Sequence, residues 1–367
     1  MTIGLVCPYN ITRGGGVQEC VIHLQQELRA RGHKVFVLTP QPRDYVSGAP
    51  DGVVFIGGAT QVKTLHTTSQ ISVSASNDVI DDVLNKYNFD LLHFHEPWVP
   101  VVSRQILSRS TCINIATFHA RLPDTVVSKT FEKVITPYTR SILKYIDAYT
   151  AVSDAAASYI QTLTKEKIII IPNGIDLKKY SFNSKNRNNS DILFIGRLEK
   201  RKGIKYLIYA YELLKTKVPN TRLIIAGDGP DKAKLQDLVF ENNIDDVKFL
   251  GQITEKEKLK LLKESSIFCS PALYGESFGI VLLEAMASGI PTIAGDNPGY
   301  SSVMQGRGLI SLVDPKNVTD FSRRMELLLL DDRIRSDWQS WAKSYITQFD
   351  YRHVVDTYLK LYKQFIK

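Results

Sequence analysis

The stretch Ser270-Pro-Ala-Leu-Tyr-Gly-Glu-Ser-Phe-Gly-Ile-Val-Leu-Leu-Glu-Ala-Met-Ala-Ser-Gly289 decides how the rest of the chain is read. The short apolar run Ile267 to Cys269 reads as a buried strand. It breaks at Pro271 and passes through a loop carrying Gly275 and Glu276. A helix then runs from about Phe278 and stops at Gly289. The amides of Ser277, Phe278, Gly279 and Ile280 point out of that helix start, where the macrodipole also favours anions. Glu276, at the same place, repels a phosphate, so it is read as an acceptor for hydroxyl groups beside one. Glu284 follows eight residues later, about 12 Å along a helix that rises roughly 1.5 Å per residue. A diphosphate with a sugar hydroxyl at each end fits this layout. On spacing alone, such a pair of acids is more often a helix cap and a solvated face. Glu284, however, sits inside Ile280-Val-Leu-Leu-Glu-Ala-Met-Ala287. A carboxylate in so apolar a helix needs a partner, since burying it unpaired is costly.

Around this stretch the second half repeats strand, loop and helix. Strand Asp191 to Gly196 leads through Arg197-Leu-Glu-Lys-Arg-Lys-Gly203 into a helix to about Lys217. Strand Arg222 to Ala226 leads through Gly227-Asp-Gly-Pro230 into a helix from Asp231. Strand Val247 to Leu250 precedes a helix begun by Thr254, with Glu257 closing a capping box. Strand Pro291 to Ala294, a loop at Asn297-Pro-Gly299, a helix near Val318 to Leu330 and a last helix from Tyr351 to Phe365 follow. Arg197 and Lys202 leave one strand's carboxyl end five residues apart. Arginine brings planar paired donors and lysine a point charge, a combination suited to a diphosphate. The run Lys200-Arg-Lys202 by itself is more often a solvated turn.

The first half has the same grammar. Strand Thr2 to Tyr9, the loop Thr12-Arg-Gly-Gly-Gly-Val17, a helix to Arg31 ended by Gly32, and strand Lys34 to Leu38 open a doubly wound α/β domain. The consecutive glycines admit close approach of a ligand to the backbone, although a plain flexible turn is the commoner case. Gly14-Gly-Gly-Val-Gln-Glu19 is not G-x-G-x-x-G, and no acid ends the second strand at Thr39-Pro40. A nicotinamide dinucleotide is therefore not read here. A helix from Asp78 to Tyr87, strand Asp90 to Glu96, a helical segment from Pro100 to Leu107 and strand Cys112 to His119 continue the domain. His119 falls at a strand's carboxyl end, where open α/β sheets bind ligands. His93 and His95 share one face of their strand. Zinc held by these three histidines would lack a fourth ligand, so His119 is read as meeting substrate, His93 and His95 as packed and hydrogen-bonded, and no metal is expected. The helix Ser128 to Ile146 is amphipathic, with Pro137 as a kink or break and Lys129, Lys133, Arg140 and Lys144 mostly off its apolar face. It reads first as a surface helix packed on its sheet and second as a helix lying on anionic lipid. Ala148 to Val152 and Lys167 to Ile171 complete the sheet, and the polar run Asn183 to Ser190 reads as a linker or surface loop.

The bulk numbers agree with two soluble domains: 367 residues, 44% apolar, 23% charged. A formal charge of +8 favours anionic ligands. No block of basic residues interleaved with aromatics marks a nucleic-acid site, so nucleic acid is not an expected partner. Cys7, Cys20, Cys112 and Cys269 lack metal-like spacing and read as buried, reduced thiols. With no signal peptide and no long apolar span, the expectation is a cytoplasmic protein, at most peripheral at the inner face of the cell membrane.

Several landmarks together resemble the retaining glycosyltransferases of family 4: Gly14-Gly-Gly-Val17, His119, Pro172-Asn-Gly-Ile-Asp176, Gly196-Arg197 with Lys202-Gly203, Gly227-Asp-Gly229, and Glu276 to Glu284. Within that family, Val6-Cys-Pro-Tyr9, Gly15-Gly-Val-Gln18, His93-Phe-His-Glu-Pro97 and Gly275-Glu-Ser-Phe-Gly-Ile-Val-Leu282 resemble the bacterial phosphatidylinositol mannosyltransferases. The resemblance implies the GT-B architecture: two Rossmann-like doubly wound domains facing a central cleft. Residues 1–171 with 346–367 would form the acceptor-side domain, the last helix returning to it, and residues 172–345 the nucleotide-sugar domain. It also implies roles. Gly15, Gly16, Arg197 and Lys202 would bind the donor diphosphate at the helix start of Ser277, Phe278, Gly279 and Ile280. Glu276 would hold donor-sugar hydroxyls and Glu284 the ribose. His119 would sit by the reacting carbon, and Tyr9, Gln18 and Arg121 would face the acceptor. The catalytic set is thus His119, Arg197, Lys202 and Glu276, with no cofactor and no metal.

The expected reaction is retaining transfer of a hexose from a nucleotide diphosphate sugar, GDP-mannose first and a UDP-sugar such as UDP-glucose second, to a hydroxyl acceptor. A membrane lipid of phosphatidylinositol type leads, with a soluble or glycan acceptor as the alternative. Two departures leave the acceptor open. Past His119 stands Ala120-Arg-Leu-Pro-Asp124, where the mannosyltransferases carry hydroxyl residues and a lysine. Asp81 and Asp82 stand where theirs has a basic cluster. An epimerase or phosphorylase on the same architecture, and a nucleotide-sugar sensor without turnover, are the rival readings.

Overall fold

A computed structural model describes residues 1–42, 48–63, 68–72, 75–99, 101–121, 126–182 and 190–366, with the backbone alone for 61–63, 68–72 and 126–131. The polar run 183–189, most of the segment after His119 (122–124), Pro100 and the side chains of Lys129 and Phe131 lie outside the described part. The chain divides into two compact units, Met1–Gly174 with Tyr351–Lys367, and Ile175–Asp350.

The first unit runs β1 (Thr2–Val6), α1 (Gly16–Ala30), β2 (Lys34–Gln41), β3 (Val53–Lys63), β4 (Thr68–Ser72), α2 (Asn77–Tyr87), β5 (Leu91–His95), α3 (Val102–Leu107), β6 (Ile113–Phe118), α4 (Val126–Leu143), β7 (Ala148–Ala151), α5 (Asp154–Gln161) and β8 (Ile168–Ile170). Its eight-stranded sheet has the order β4-β3-β2-β1-β5-β6-β7-β8. Pairing is parallel except between β3 and β4. Strand β5 is buried along its whole length, the near-continuous burial that a parallel strand covered on both faces requires. Two strands beyond β2 and the short helix α5 add to the expected pattern. Pro137 lies inside α4, which runs on past it and is not broken.

The second unit runs β9 (Ser190–Ile195), α6 (Ile204–Lys215), β10 (Thr221–Ala226), α7 (Lys232–Glu241), β11 (Val247–Gly251), α8 (Glu255–Glu264), β12 (Ile267–Ser270), α9 (Ile280–Ala287), β13 (Thr292–Gly295), α10 (Pro298–Val303), β14 (Leu312–Val313), α11 (Val318–Leu330) and α12 (Asp332–Tyr345). Its six strands order as β11-β10-β9-β12-β13-β14, all parallel. Their inward side chains pack under α6 and α11 with Phe194, Tyr211, Phe321 and Met325 fully buried. The chain then returns to the first unit as α13 (Tyr351–Phe365). Val354, Val355, Tyr358, Leu361 and Tyr362 recur on one helical face and pack with Val21, Leu24 and Leu28 of α1.

Two expectations need correction. The Asn297-Pro-Gly299 segment is not a plain loop: the Asn297 side chain accepts from the Tyr300 N–H and caps α10, with Pro298 in its first turn. The central helix α9 begins at Ile280, not near Phe278, because Gly279 takes a left-handed φ of 106° and serves as its cap. Glu276, Ser277 and Phe278 therefore belong to a loop, and a helical rise does not set the spacing of Glu276 and Glu284.

One glycine stitches the strand exits of the second unit together. Gly227 has φ 132°, and a Cβ there would collide with the Gly196 carbonyl oxygen. Around it Gly196 N–H donates to Ala226 O at 3.0 Å and Leu198 N–H to Asp228 O at 2.9 Å. Gly227→Ala is expected to cost about 2 kcal/mol or more, from strain plus the forced separation of the two loops. Urea unfolding checks this; an unchanged midpoint contradicts it.

Candidate active site

In both sheets the chain reverses its direction of growth at one place. In the second unit this lies between β9 and β12, the neighbours from which strands extend outward on either side. Loops at the carboxyl ends of such a pair form the crevice that binds ligands in open α/β sheets. The loop after β9 carries Arg197, Glu199, Arg201 and Lys202, and the loop after β12 carries Gly275 to Gly279. A backbone bond from Leu273 N–H to Arg201 O, 2.8 Å, ties the two loops directly.

Their side chains form one connected ionic group. Arg197 Nε lies 2.5 Å from Glu199 Oε1, and Arg201 Nε 2.9 Å from Glu199 Oε2. Glu276 Oε1 accepts from Arg201 Nη1 at 2.5 Å and lies 2.8 Å from Lys202 Nζ. Three cations thus face two carboxylates, leaving one positive charge for an anion. Arg197 is the open end, its side chain half-exposed at 50%, whereas Lys202 and Glu276 are mostly covered. Burial works against the Arg201 cation, but Glu276 and Glu199 together more than offset it and hold its pKa up. Tyr300, buried and bonded to Ser270 Oγ at 2.8 Å, has its phenol pushed well up by burial and by the charge of Glu276. Of the residues expected here to bind donor, Ser277, Gly279 and Ile280 are half-buried, while Phe278 is buried and edge-on to Phe349 with ring centroids 6.0 Å apart. Phe278 thus packs the loop in place.

Glu284 belongs to a second group. It is buried in α9, as its apolar neighbours require, and it has the partners such a carboxylate needs. Lys258 Nζ lies 2.6 Å from its Oε1 and Tyr180 Oη donates to the same oxygen at 3.0 Å. Burial pulls the Lys258 ammonium down, yet Glu284 and Glu255 leave its pKa raised.

In the first unit the reversal lies between β1 and β5. Tyr9 follows β1, α1 begins at Gly16, Glu96 follows β5 and His119 follows β6. Gly15 is half-buried and Gly16 exposed; a Cβ on Gly15 would overlap the Gln18 amide, so the glycine leaves room for that side chain. Tyr9, Gln18 and Arg121 are half-buried and His119 is buried. His119 Nε2 lies 2.9 Å from His95 Nδ1. Its pKa is pulled down to about 4 by burial, with a hydrogen bond to the Asn173 side chain opposing, so the ring is neutral at pH 7. His93 is packed beneath, 2.7 Å from Tyr362 Oη and 2.6 Å from Thr117 Oγ1, which anchors α13 to the sheet. Tyr9 has its phenol raised by burial and by the neighbouring charge of Glu96. Glu96 itself is fully buried and its pKa is raised to about 8 by burial, against the stabilising N–H bonds it receives.

The sequence reading missed Glu96, Asn173, Tyr180, Glu199, Arg201, Lys258 and Tyr300. For Glu96 a signal was present, since an acid within Leu91-Leu-His-Phe-His-Glu-Pro-Trp98 is as exposed to the burial argument as Glu284. Asn173 stands in the landmark Pro172-Asn-Gly-Ile-Asp176, and Arg201 in the basic run read as a solvated turn. For Tyr180, Glu199, Lys258 and Tyr300, nothing in the local pattern separates them from ordinary residues. Among the described residues, one group has the chemistry of metal ligands: one ligand atom each from Cys20, His95 and His119 lies within 4.8 Å of the others. The facing nitrogens of the imidazoles are spent on each other, and burial pushes the Cys20 thiol up to about 12. With those nitrogens occupied, we assign no ion there.

Comparison with known proteins follows the same division. Residues 14–179 match the family model described as Glycosyltransferase Family 4, and residues 178–345 that of Glycosyl transferases group 1. The phosphatidyl-myo-inositol mannosyltransferase of Mycolicibacterium smegmatis is 30% identical over 369 residues, 99% of this chain and 94% of that protein. A phosphatidylinositol N-acetylglucosaminyltransferase polypeptide of Arabidopsis thaliana is 25% identical, over 82% of this chain and 68% of that protein. Among solved structures, sucrose-phosphate synthase from Thermosynechococcus elongatus superposes with a TM-score of 0.76 at 19% identity, covering 99% of this chain and 98% of the other. Anabaena Alr3699/HepE in complex with UDP and glucose gives 0.76 at 18% identity, covering 99% and 100%. Both share the paired Rossmann-like fold.

Proposed function

The chain belongs to the glycosyltransferases that join a family 4 domain to a group 1 domain, and from that premise we propose that it moves a hexose, mannose, from GDP-mannose to a hydroxyl of a phosphatidylinositol-type lipid with retained configuration. The name of the Mycolicibacterium relative supports the sugar and the lipid class, and that of the Arabidopsis relative supports the lipid class. The observation that carries the donor side is the ionic group of Arg197, Glu199, Arg201, Glu276 and Lys202 at the reversal point of the second sheet.

In the proposed step the bond from the anomeric carbon to the diphosphate oxygen breaks and its electron pair leaves with the diphosphate. A bond from the acceptor oxygen to that carbon forms on the same face, and the acceptor proton passes to the departing phosphate oxygen. Arg197 and Lys202 meet the charge that grows on that phosphate, the usual largest contribution in such sites. Glu276 orients the sugar hydroxyls and Glu284, held by Lys258 and Tyr180, the ribose. His119, neutral and buried, donates or accepts a hydrogen bond near the reacting carbon, while Gly15 and Gly16 meet the donor diphosphate and Tyr9, Gln18 and Arg121 face the acceptor. No helix among the described residues is long and apolar enough to cross a membrane. Because the proposed acceptor is a membrane lipid, the proposal includes contact with the membrane surface, at the inner face of the cell membrane.

A thermal-shift series over nucleotide sugars tests the donor. Saturation at 100 times the dissociation constant stabilises by about 2.7 kcal/mol, a shift of several degrees, expected with GDP-mannose and smaller with UDP-glucose. Mass spectrometry of phosphatidylinositol vesicles incubated with protein and donor then shows one added hexose, and NMR shows the α-anomer. No shift with any nucleotide sugar, or no hexose added to the lipid, rejects the proposal.

A further inference from the structure

We propose that Glu96 is a positioning residue that holds His119 in its working place, an inference resting on the reading that His119 meets the substrate. Glu96 follows the last residue of β5 and has a left-handed φ of 51°, a conformation that costs a non-glycine residue free energy unless its surroundings impose it. It is fully buried. Its own N–H donates to Thr117 O at 2.9 Å, on β6 just before the exit. Its carboxyl oxygen Oε1 then accepts the N–H of His119 and, at 2.5 Å, that of Ala120, just after the exit.

One residue therefore grips β6 on both sides of the point where His119 leaves the sheet. His95, its neighbour in sequence, holds the ring: Nδ1 lies 2.9 Å from His119 Nε2 and the two rings stack at 5.2 Å. Backbone and side chain of His119 are thus fixed by adjacent residues of β5 and its exit. An apolar side chain at position 96 would leave the buried His119 N–H and the half-buried Ala120 N–H without this acceptor. The turn would relax to find others and carry the imidazole with it. Displacing a reacting group by about 1 Å costs on the order of 10²-fold in rate. Glu96 acts through His119 and does not itself touch substrate in this account.

A double-mutant cycle on the full chain is the test, with kcat and KM measured for hexose transfer. Glu96→Ala lowers kcat by about 10²-fold with the donor KM unchanged, because the donor residues of the second unit are untouched. Combining it with His119→Ala costs no more than His119→Ala alone, the signature of two residues acting as one device. Glu96→Gln, whose carbonyl still accepts both N–H groups, recovers most of the loss. Hydrogen exchange at the His119 and Ala120 amides is slow in the wild type and in Glu96→Gln and fast in Glu96→Ala. If Glu96→Ala does not fold, Glu96→Asp, which withdraws the oxygen by one methylene, takes its place in the cycle. Wild-type kcat in the position-96 variant, or losses that multiply in the double variant, overturn the inference. Wild-type turnover in His119→Ala overturns instead the role assigned to His119.

Discussion

Lys202→Ala lowers hexose transfer by about 10²–10³-fold while the protein still folds. The size follows from removing one preorganised cation from the place where charge develops on a leaving phosphate. The intact fold follows from the wiring of the ionic group. Glu276 loses one of its cations but keeps Arg201, 2.5 Å away, so no carboxylate is left buried and alone. Arg197→Ala behaves the same way, since Glu199 keeps Arg201. Arg201→Ala is the instructive contrast: it takes a partner from both Glu199 and Glu276, and it is expected to lower stability as well as turnover. Turnover and urea midpoints for the three variants separate the roles. Wild-type turnover in Lys202→Ala would remove the basis for a diphosphate site.

The N-terminal unit is expected to lose stability steeply on acidification below neutral pH. His93 and His119 have pKa values pulled down by burial to about 3 and about 4, and His95 is pulled well below the ordinary 6.5. All three are neutral in the fold. Below pH 6.5 the unfolded chain takes up protons that the folded chain refuses. Their contribution is therefore complete above pH 6.5 and is lost as pH falls towards the folded values. Each such group costs about 1.4 kcal/mol per pH unit in that window. Glu96 works the other way. Its raised pKa, about 8, means the fold holds a proton that the unfolded chain releases above 4.5, so acid strengthens this one group. Three imidazoles against one carboxyl leave a net loss between pH 6.5 and 4.5, at most about 3 kcal/mol per unit. Hydrogen exchange read on peptides spanning 91–119 should show protection falling from pH 7 to 5.5 after correction for intrinsic rates. Constant or rising protection contradicts this account.

Much of the architecture was legible in the residues. The apolar runs before Pro8, Pro97, Gly196, Gly227 and Pro271 end where strands end. The Thr254 and Glu257 capping box is present as expected, and α11 and α13 have the expected bounds. The reading failed where a local rule was outweighed: Gly279 delays the start of α9, and Asn297 begins a helix that its proline and glycine concealed.

The sequence alone placed most of the strands, though not β3, β4 or β14, with their exits and glycine turns, and so marked which loops would carry Arg197, Lys202, Glu276 and His119. Those features depend on alternation, helical period and backbone freedom, each felt within a few residues. It did not decide which charges would pair. Arg201 and Glu276 are 75 residues apart, and Glu96 reaches an amide 23 residues away. Parallel crossovers bring such groups within hydrogen-bonding reach, and at that range a difference of an ångström separates a bond from none. Only the packed sheets, with their strand order and loop ties, set those distances.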